Sequence, residues 1–422
     1  GQATGATGGV PSGGAPTGGG ATAGALNAGA GGDGSGGAAG AAGKGCVDRA
    51  WEAERFRGGV ELIDGLLWVT WGNRSAGSGD PLVLSTVALD VAGQFSEPLV
   101  REGLPGAWMD AMGYSPAGDI GFALMSEDYG ISHVAEPEIV MTTLDPEGED
   151  LGVTTHVAWD GEAFTIDLRN GSTLYTVRRS ANGDLVLPPT EFGGMGALSY
   201  VNYDSGYKSS TNPVSGRTFS LEAGGSRWLA GHERNGERIP WIPETGSVML
   251  APPPCDGSDG WGVVCEAGAG LPAVAADPEG GVWVAWSQST VRELSVVGGV
   301  QHYDADGNPG PFIWFRTPEG DGGGAGNAAI HAFSASSALL VSSSGAALYA
   351  FDIEDSTISE ARAITDFVDS PYIEGFRELV LLRDESGLTW LVFDQNARIR
   401  ALKVAPGCVY PPDPDPASII EW

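Results

Sequence analysis

Two interleaved ladders of turn signals constrain this chain more than anything else in it. In the first, a tight turn is followed by a short apolar run. "IDGLLWVTW" turns at Asp64-Gly65, "SPAGDIGFALM" at Ala117-Gly118 and "WDGEAFTID" at Asp160-Gly161. "VSGRTFSLE" turns at Ser215-Gly216, "DPEGGVWVAW" at Gly280-Gly281, "SASSALLVSS" at Ser336-Ser337 and "IEGFRELVLL" at Glu374-Gly375. Asp-Gly or Gly-Gly between apolar runs is a strong hairpin signal, because Gly accepts the positive φ that tight turns require. The second ladder is a D-x-x-G-like turn further along each unit. It comprises Asp90/Gly93, Asp145/Gly148, Ser180/Gly183, Glu233/Gly236 and Asp304/Gly307, with Asp352 and Asp394 keeping the acid and losing the Gly. The two ladders alternate through seven rungs with a period of about 50 residues, the period of propeller blades.

The runs between turns fit that reading. "WVTW", "FALM", "WVAW", "ALLV" and "LVLL" are short and apolar on both faces. A blade's inner strands lie between neighbouring blades, so both faces are buried and polar alternation is lost. Outer strands are more polar, as in "TLYTVRRS". No amphipathic helical pattern survives the Gly, Pro and turn signals. The expected fold is an all-β, seven-bladed β-propeller of four-stranded blades, with an extended Gly/Ala-rich N-terminal arm and a short Pro-rich C-terminal tail. A pair of β-sandwich domains is the alternative, and the seven-fold ladder argues against it. The expected organisation is an arm over 1–45, a propeller over 46–408 and a tail over 409–422.

Of the 422 residues, 67 are Gly, concentrated in the arm, yet 42% are hydrophobic and 13 are Trp, enough for a large core. No apolar run reaches the length of a membrane span. With 22 Lys+Arg against 54 Asp+Glu, the net charge is -32. That charge repels nucleic acid and anionic lipid and leaves divalent cations or basic surfaces as charge partners. A chain that begins at Gly1 reads as a processed product, with any signal or lipid-bearing residue upstream. The four cysteines lack metal-ligand spacing. Their even number points to disulfides and an oxidising compartment. Cys255 pairs with Cys265 across "CDGSDGWGVVC", and Cys46 with Cys408 across the two ends of the ladder, where a bond would clasp the ring at its seam. Four reduced, buried thiols are the alternative.

The repeat carries a resemblance. Residues 158–187, "AWDGEAFTIDLRNGSTLYTVRRSANGDLVL", match the blade pattern xWDGxxFxVxW…LYxxRxxxxGxxL. The chain thus resembles secreted or surface-anchored bacterial β-propeller proteins, loosely over about residues 60–406. The resemblance implies a fold and an extracellular or outer-surface location, with the arm as a tether. It implies no activity.

Catalytic signatures such as HExxH, GxSxG and the phosphate loop are absent, so no enzyme activity is expected. The five histidines (133, 156, 232, 302 and 331) are spread over five blades and would form a site only by converging on the ring axis. Calcium is the candidate ion, at "DADGN", where Asp304, Asp306 and Asn308 place oxygens at alternate positions. The same residues are favoured in a plain hairpin turn. Trp108, Trp241 and Trp261 sit in Pro/Gly-rich surroundings, as ligand-stacking residues or as packing anchors for loops. The tail "PPDPDPASIIEW" ends in Ile419, Ile420 and Trp422, an apolar plug that either folds back on its own blade or docks on a neighbour. The leading functional expectation is an extracellular structural protein, self-associating through arm and tail as a homo-oligomer or surface filament. A cell-surface glycan- or protein-binding module on a flexible tether is the alternative. A lyase or hydrolase with its site in the central funnel is the least favoured.

Overall fold

The computed structural model describes residues 45–420 apart from 54–57, 75–81, 105–108, 125–127, 145–150, 195–206, 224–226, 251–271, 290–295, 319–326, 345–346, 366–376, 384–386, 396–397 and 412. The arm over 1–44, Trp108, Trp261, Trp422 and the expected Cys255–Cys265 pair therefore lie outside the described residues.

The strands assemble into seven sheets, one for each blade. Blades 1 to 6 are contiguous meanders over 58–104, 109–143, 153–194, 207–249, 273–316 and 328–363. The first strand of each blade lies against the first strand of the next, and that of blade 7 (Arg377–Arg383) against that of blade 1 (Gly58–Ile63), which closes the ring. The all-β, seven-bladed expectation is met. Apolar clusters fill the spaces between blades, as strands buried on both faces require. Trp71, Val69 and Trp390 pack between blades 7 and 1, and Phe122 and Leu84 between 1 and 2. The space between blades 3 and 4 differs: among the described residues its apolar cluster comprises Leu174, Phe192 and Ala230.

Blade 7 is built from both ends of the chain. Arg377–Arg383, Thr389–Gln395 and Arg398–Lys403 supply three strands, and the N-terminal strand Asp48–Glu52 supplies the fourth, antiparallel from Asp48↔Leu402 to Glu52↔Arg398. Trp51 on that strand is fully buried, its ring 5.7 Å from Trp71 of blade 1. Arg400 holds Asp48 with two hydrogen bonds of 3.0 and 2.7 Å. The Cys46–Cys408 disulfide lies just outside this strand pair, with Cα atoms 5.5 Å apart. The tail does not stand apart as a separate segment. Ile419–Ile420 pairs in parallel with Ala50 and Trp51 as a fifth strand, and Ile420 is buried in the seam. Of the two alternatives for the tail, Ile419 and Ile420 fold back on their own blade: they cover the Trp51 edge, with Ile420 buried and Ile419 partly buried.

Five rungs of the ladders share one turn geometry. At Asp90, Ser115, Ser180, Asp277 and Asp304, the N–H of the first residue donates to the carbonyl of the fifth, and the N–H of the fourth, a Gly, donates back to the first. The first side chain accepts the amide of the fifth residue, at 2.8 Å for Asp90 and 3.1 Å for Ser180. The Gly φ values run from 78° at Gly93 to 93° at Gly280, where other residues are strained. Because blades 1 to 6 are antiparallel meanders, their first–second and third–fourth turns emerge on the same face of the ring. Two rungs, Asp352 and Asp394, lie inside strands, and two others fall outside the described residues. Glu374-Gly375 precedes blade 7 and lies outside the described residues; the first turn of that blade ends at Gly387. Asp145/Gly148 falls between blades 2 and 3, also outside the described residues. Asp352 is inside a strand, Ala347–Glu354, whose turn is Asp355-Ser356. Asp394 ends the second strand of blade 7, which has no third–fourth turn because its fourth strand comes from the N-terminus.

Candidate functional site

On the turn face, between blades 5 and 6, lies a cleft of about 260 Å³. Blade 5 contributes Trp283, His302, Gly310, Pro311 and Ile313, and blade 6 contributes two turns, Ala335-Ser336 and Asp355-Ser356. Trp283 and His302 are cross-strand partners on the second and third strands, with rings 4.8 Å apart. The Trp283 indole N–H donates to the Ser334 carbonyl at 2.9 Å and ties the two blades together. Two further bonds position the blade 6 turns: Ala335 N–H to a Glu279 carboxylate oxygen at 2.5 Å, and Asp355 N–H to the Ser336 carbonyl at 2.9 Å.

At the blade 5 wall, His302 Nε2 lies 2.6 Å from Asp277 Oδ2. Asp277 is fully buried. Burial works against its charge, but the His302 hydrogen bond and the amides of Gly281 and Glu279 outweigh that and hold its pKa below the ordinary carboxylate value. An ionised Asp277 accepts a hydrogen bond from the Nε2–H of His302, which fixes the orientation of the ring. The pair meets so closely because residue 281 is Gly: a Cβ there would stand 2.5 Å from Asp277 Oδ2 and 2.9 Å from His302 Nε2. The opposite rim carries two of the three non-Gly residues with positive φ among the described residues, Asp355 at 46° and Ser356 at 66°. The arrangement offers hydrogen-bond acceptors, hydroxyls and an apolar floor.

A second group of titratable residues fills the polar space between blades 3 and 4. His232 Nε2 is 2.9 Å from Asp167 Oδ1, and its Nδ1 is 2.9 Å from the Glu233 carbonyl. His156, opposite Asp167 in register, has its Nε2 2.9 Å from Thr211 Oγ1. Burial pushes His156 down to about 4. For His232 burial acts in the same direction, but Asp167 outweighs it and its pKa is raised. His232 and Asp167 are sealed from solvent, so this group joins blades and presents no opening. The histidines do not converge on the axis. His133, His232 and His302 lie on third strands, and His156 and His331 on first strands.

The other sequence candidates are accounted for locally. Trp241 is a packing residue, its ring stacked 6.2 Å from both Phe219 of blade 4 and Tyr303 of blade 5. It is therefore not an open stacking platform. Asp304 Oδ1 accepts the amides of Asp306 and Asn308, and its Oδ2 accepts the Asn308 side-chain amide at 2.9 Å. Ser180 caps the equivalent turn of blade 3 without any carboxylate. No group of three or more His, Cys, Asp or Glu suited to a metal occurs among the described residues. No helix among them is long and apolar enough to cross a membrane. The cleft escaped the sequence reading because its wall is set by strand register and its rim by a neighbouring blade. "DPEGG" followed by a Trp and a distant His was the available signal.

No protein-family model matches the chain, and no curated protein matches it. Among solved structures it is similar to "YCF48 bound to D1 peptide", at 10% identity and a TM-score of 0.51, over 86% of this chain and 96% of that one. It also matches the Myceliophteria thermophila Cps50 (Swd1) β-propeller domain, at 11% identity and a TM-score of 0.47, over 84% of this chain and 98% of that one. At such identities the likeness extends to the fold: this chain is a seven-bladed β-propeller.

Proposed function

We propose that this chain is a non-catalytic extracellular interaction module that holds a segment of a protein partner in the cleft between blades 5 and 6. The observation that carries the reading is the cleft itself, where the Asp277–His302 pair and two turns of a second blade surround an apolar floor. The Cys46–Cys408 disulfide supports an oxidising location. The peptide named with YCF48 is a precedent for peptide binding by a ring of this kind. A displayed random-peptide library selected on the full chain tests this. Enriched peptides should lose binding to Ser336→Trp, which fills the cleft, while its melting transition stays in place. Enrichment of peptides indifferent to that substitution refutes the site. A glycan array on the same protein decides the glycan alternative.

Self-association remains a second reading, on a different surface from the tail. Outer positions of blades 1 to 3 expose apolar side chains, among them Phe95, Val100, Val140, Met141 and Val186. Light scattering over a concentration series measures it: growth in particle size that Val140→Asp abolishes supports the rim as a self-contact.

A further inference from the structure

We propose that the cleft between blades 5 and 6 receives a basic side chain, lysine or arginine, from the partner segment; this rests on the interaction reading above. The first argument is size. At about 260 Å³ the cleft is below the range of pockets that hold whole drug-sized ligands and suits one long side chain. The second is the chemistry of the lining. Trp283, Pro311, Ile313 and Ala335 give an apolar track of the kind that an aliphatic stem covers. The polar groups beside it are Asp355, Ser336, Ser356 and His302. His302 Nε2–H donates to Asp277, which holds the ring in the cleft wall with a carboxylate behind it. Asp355 is an exposed carboxylate, and no Lys or Arg is among the described residues that line the cleft. An acceptor-rich mouth over an apolar track matches an ammonium or guanidinium head on a methylene stem.

The third argument is charge complementarity over longer range. A net charge of -32 attracts basic segments and repels acidic ones before contact. The rim is also built at a cost. A two-residue turn with positive φ at both positions favours Asn-Gly, and here it is Asp355-Ser356. The pair gives up a glycine and places a carboxylate and a hydroxyl at the mouth.

The test uses the full chain with ring-labelled histidine. The His302 resonance is assigned by its loss in His302→Gln. Nα-acetyl-lysine-N-methylamide is titrated in, with the norleucine and glutamate analogues as neutral and acidic controls. The lysine probe should shift the His302 signal saturably, and the norleucine and glutamate probes should not. Asp355→Asn, which suits the left-handed backbone at 355, should weaken lysine binding by about threefold, the scale of one exposed charge contact. Ser336→Trp should abolish it. Equal or tighter binding of norleucine or glutamate overturns the cationic assignment and leaves the cleft as a binding site for another side chain. Silence of His302 toward all three probes overturns this proposal, and the peptide selection then decides separately whether the cleft binds anything.

Discussion

Replacing Cys46 and Cys408 together by Ala should leave the ring closed and lower its stability. The bond joins residues 362 apart in sequence. In the chain-entropy picture its removal frees the unfolded chain by about 6 kcal/mol, and measured losses for native disulfides run from about 2 to 5 kcal/mol. Ala suits the site because Cys408 is buried among apolar side chains, where a Ser hydroxyl would add its own penalty. The closure itself does not depend on the bond. The Asp48–Glu52 strand keeps its five-residue register with blade 7, the buried Trp51 and the paired Asp48–Arg400 contact. A loss of about 2–6 kcal/mol corresponds to a fall of about 3–8 °C in the midpoint for a body of this size. Thermal unfolding followed by far-UV circular dichroism, with wild type and variant side by side under oxidising conditions, measures it. A midpoint within about 1 °C of wild type refutes the claim that the bond constrains the unfolded chain. A variant already unfolded at about 25 °C refutes the claim that the strand closes the ring unaided.

Four further outcomes are expected. Deleting residues 413–422 should uncover the Trp51 edge and cost about 1–3 kcal/mol through the lost burial of Ile420, with no change in particle size; dissociation of an oligomer on deletion would return the tail to an assembly role. Gly307→Ala should cost clearly more than Gly65→Ala in a melting comparison. Both have positive φ, worth about 1–2 kcal/mol, but only at 307 does the added Cβ meet a neighbour, 2.4 Å from the Trp241 ring. Asp304→Ser should keep the blade 5 turn, since Ser180 caps the same geometry in blade 3, and its melting transition should coincide in calcium and in chelator; a calcium-dependent rise in wild type that the variant loses would instead establish an ion there. Stability should fall between pH 6.5 and about 4. Burial holds His156 and His331 near 4 when folded, so the unfolded chain takes up protons first, at up to about 1.4 kcal/mol per pH unit for each group. His156→Gln should flatten that slope in urea unfolding measured across the range. His232 works in the opposite sense: its raised pKa gives stability below pH 6.5 that is lost as pH rises through its folded value.

The all-β class, the seven-fold repeat and several of the turns are legible in the order of the residues. Those follow from local physics. A Gly with positive φ and a short acceptor three residues earlier specify a five-residue turn wherever they occur, as at Asp90 and Ser180. The same local signal could not say which strands a turn connects, so Asp394 was set in the wrong rung, and it could not show that the fourth strand of blade 7 comes from the other end of the chain. Ring closure decided that, because an open blade edge is covered by whichever segment reaches it. Tertiary structure alone also decided the fate of Ile420 and Trp241, whose apolar surfaces suit a partner or a core equally well until packing is known. The cleft belongs to the same class. Asp277 and His302 are 25 residues apart, and strand register makes them neighbours. The rim at Asp355 belongs to the next blade, brought there by the curvature of the ring.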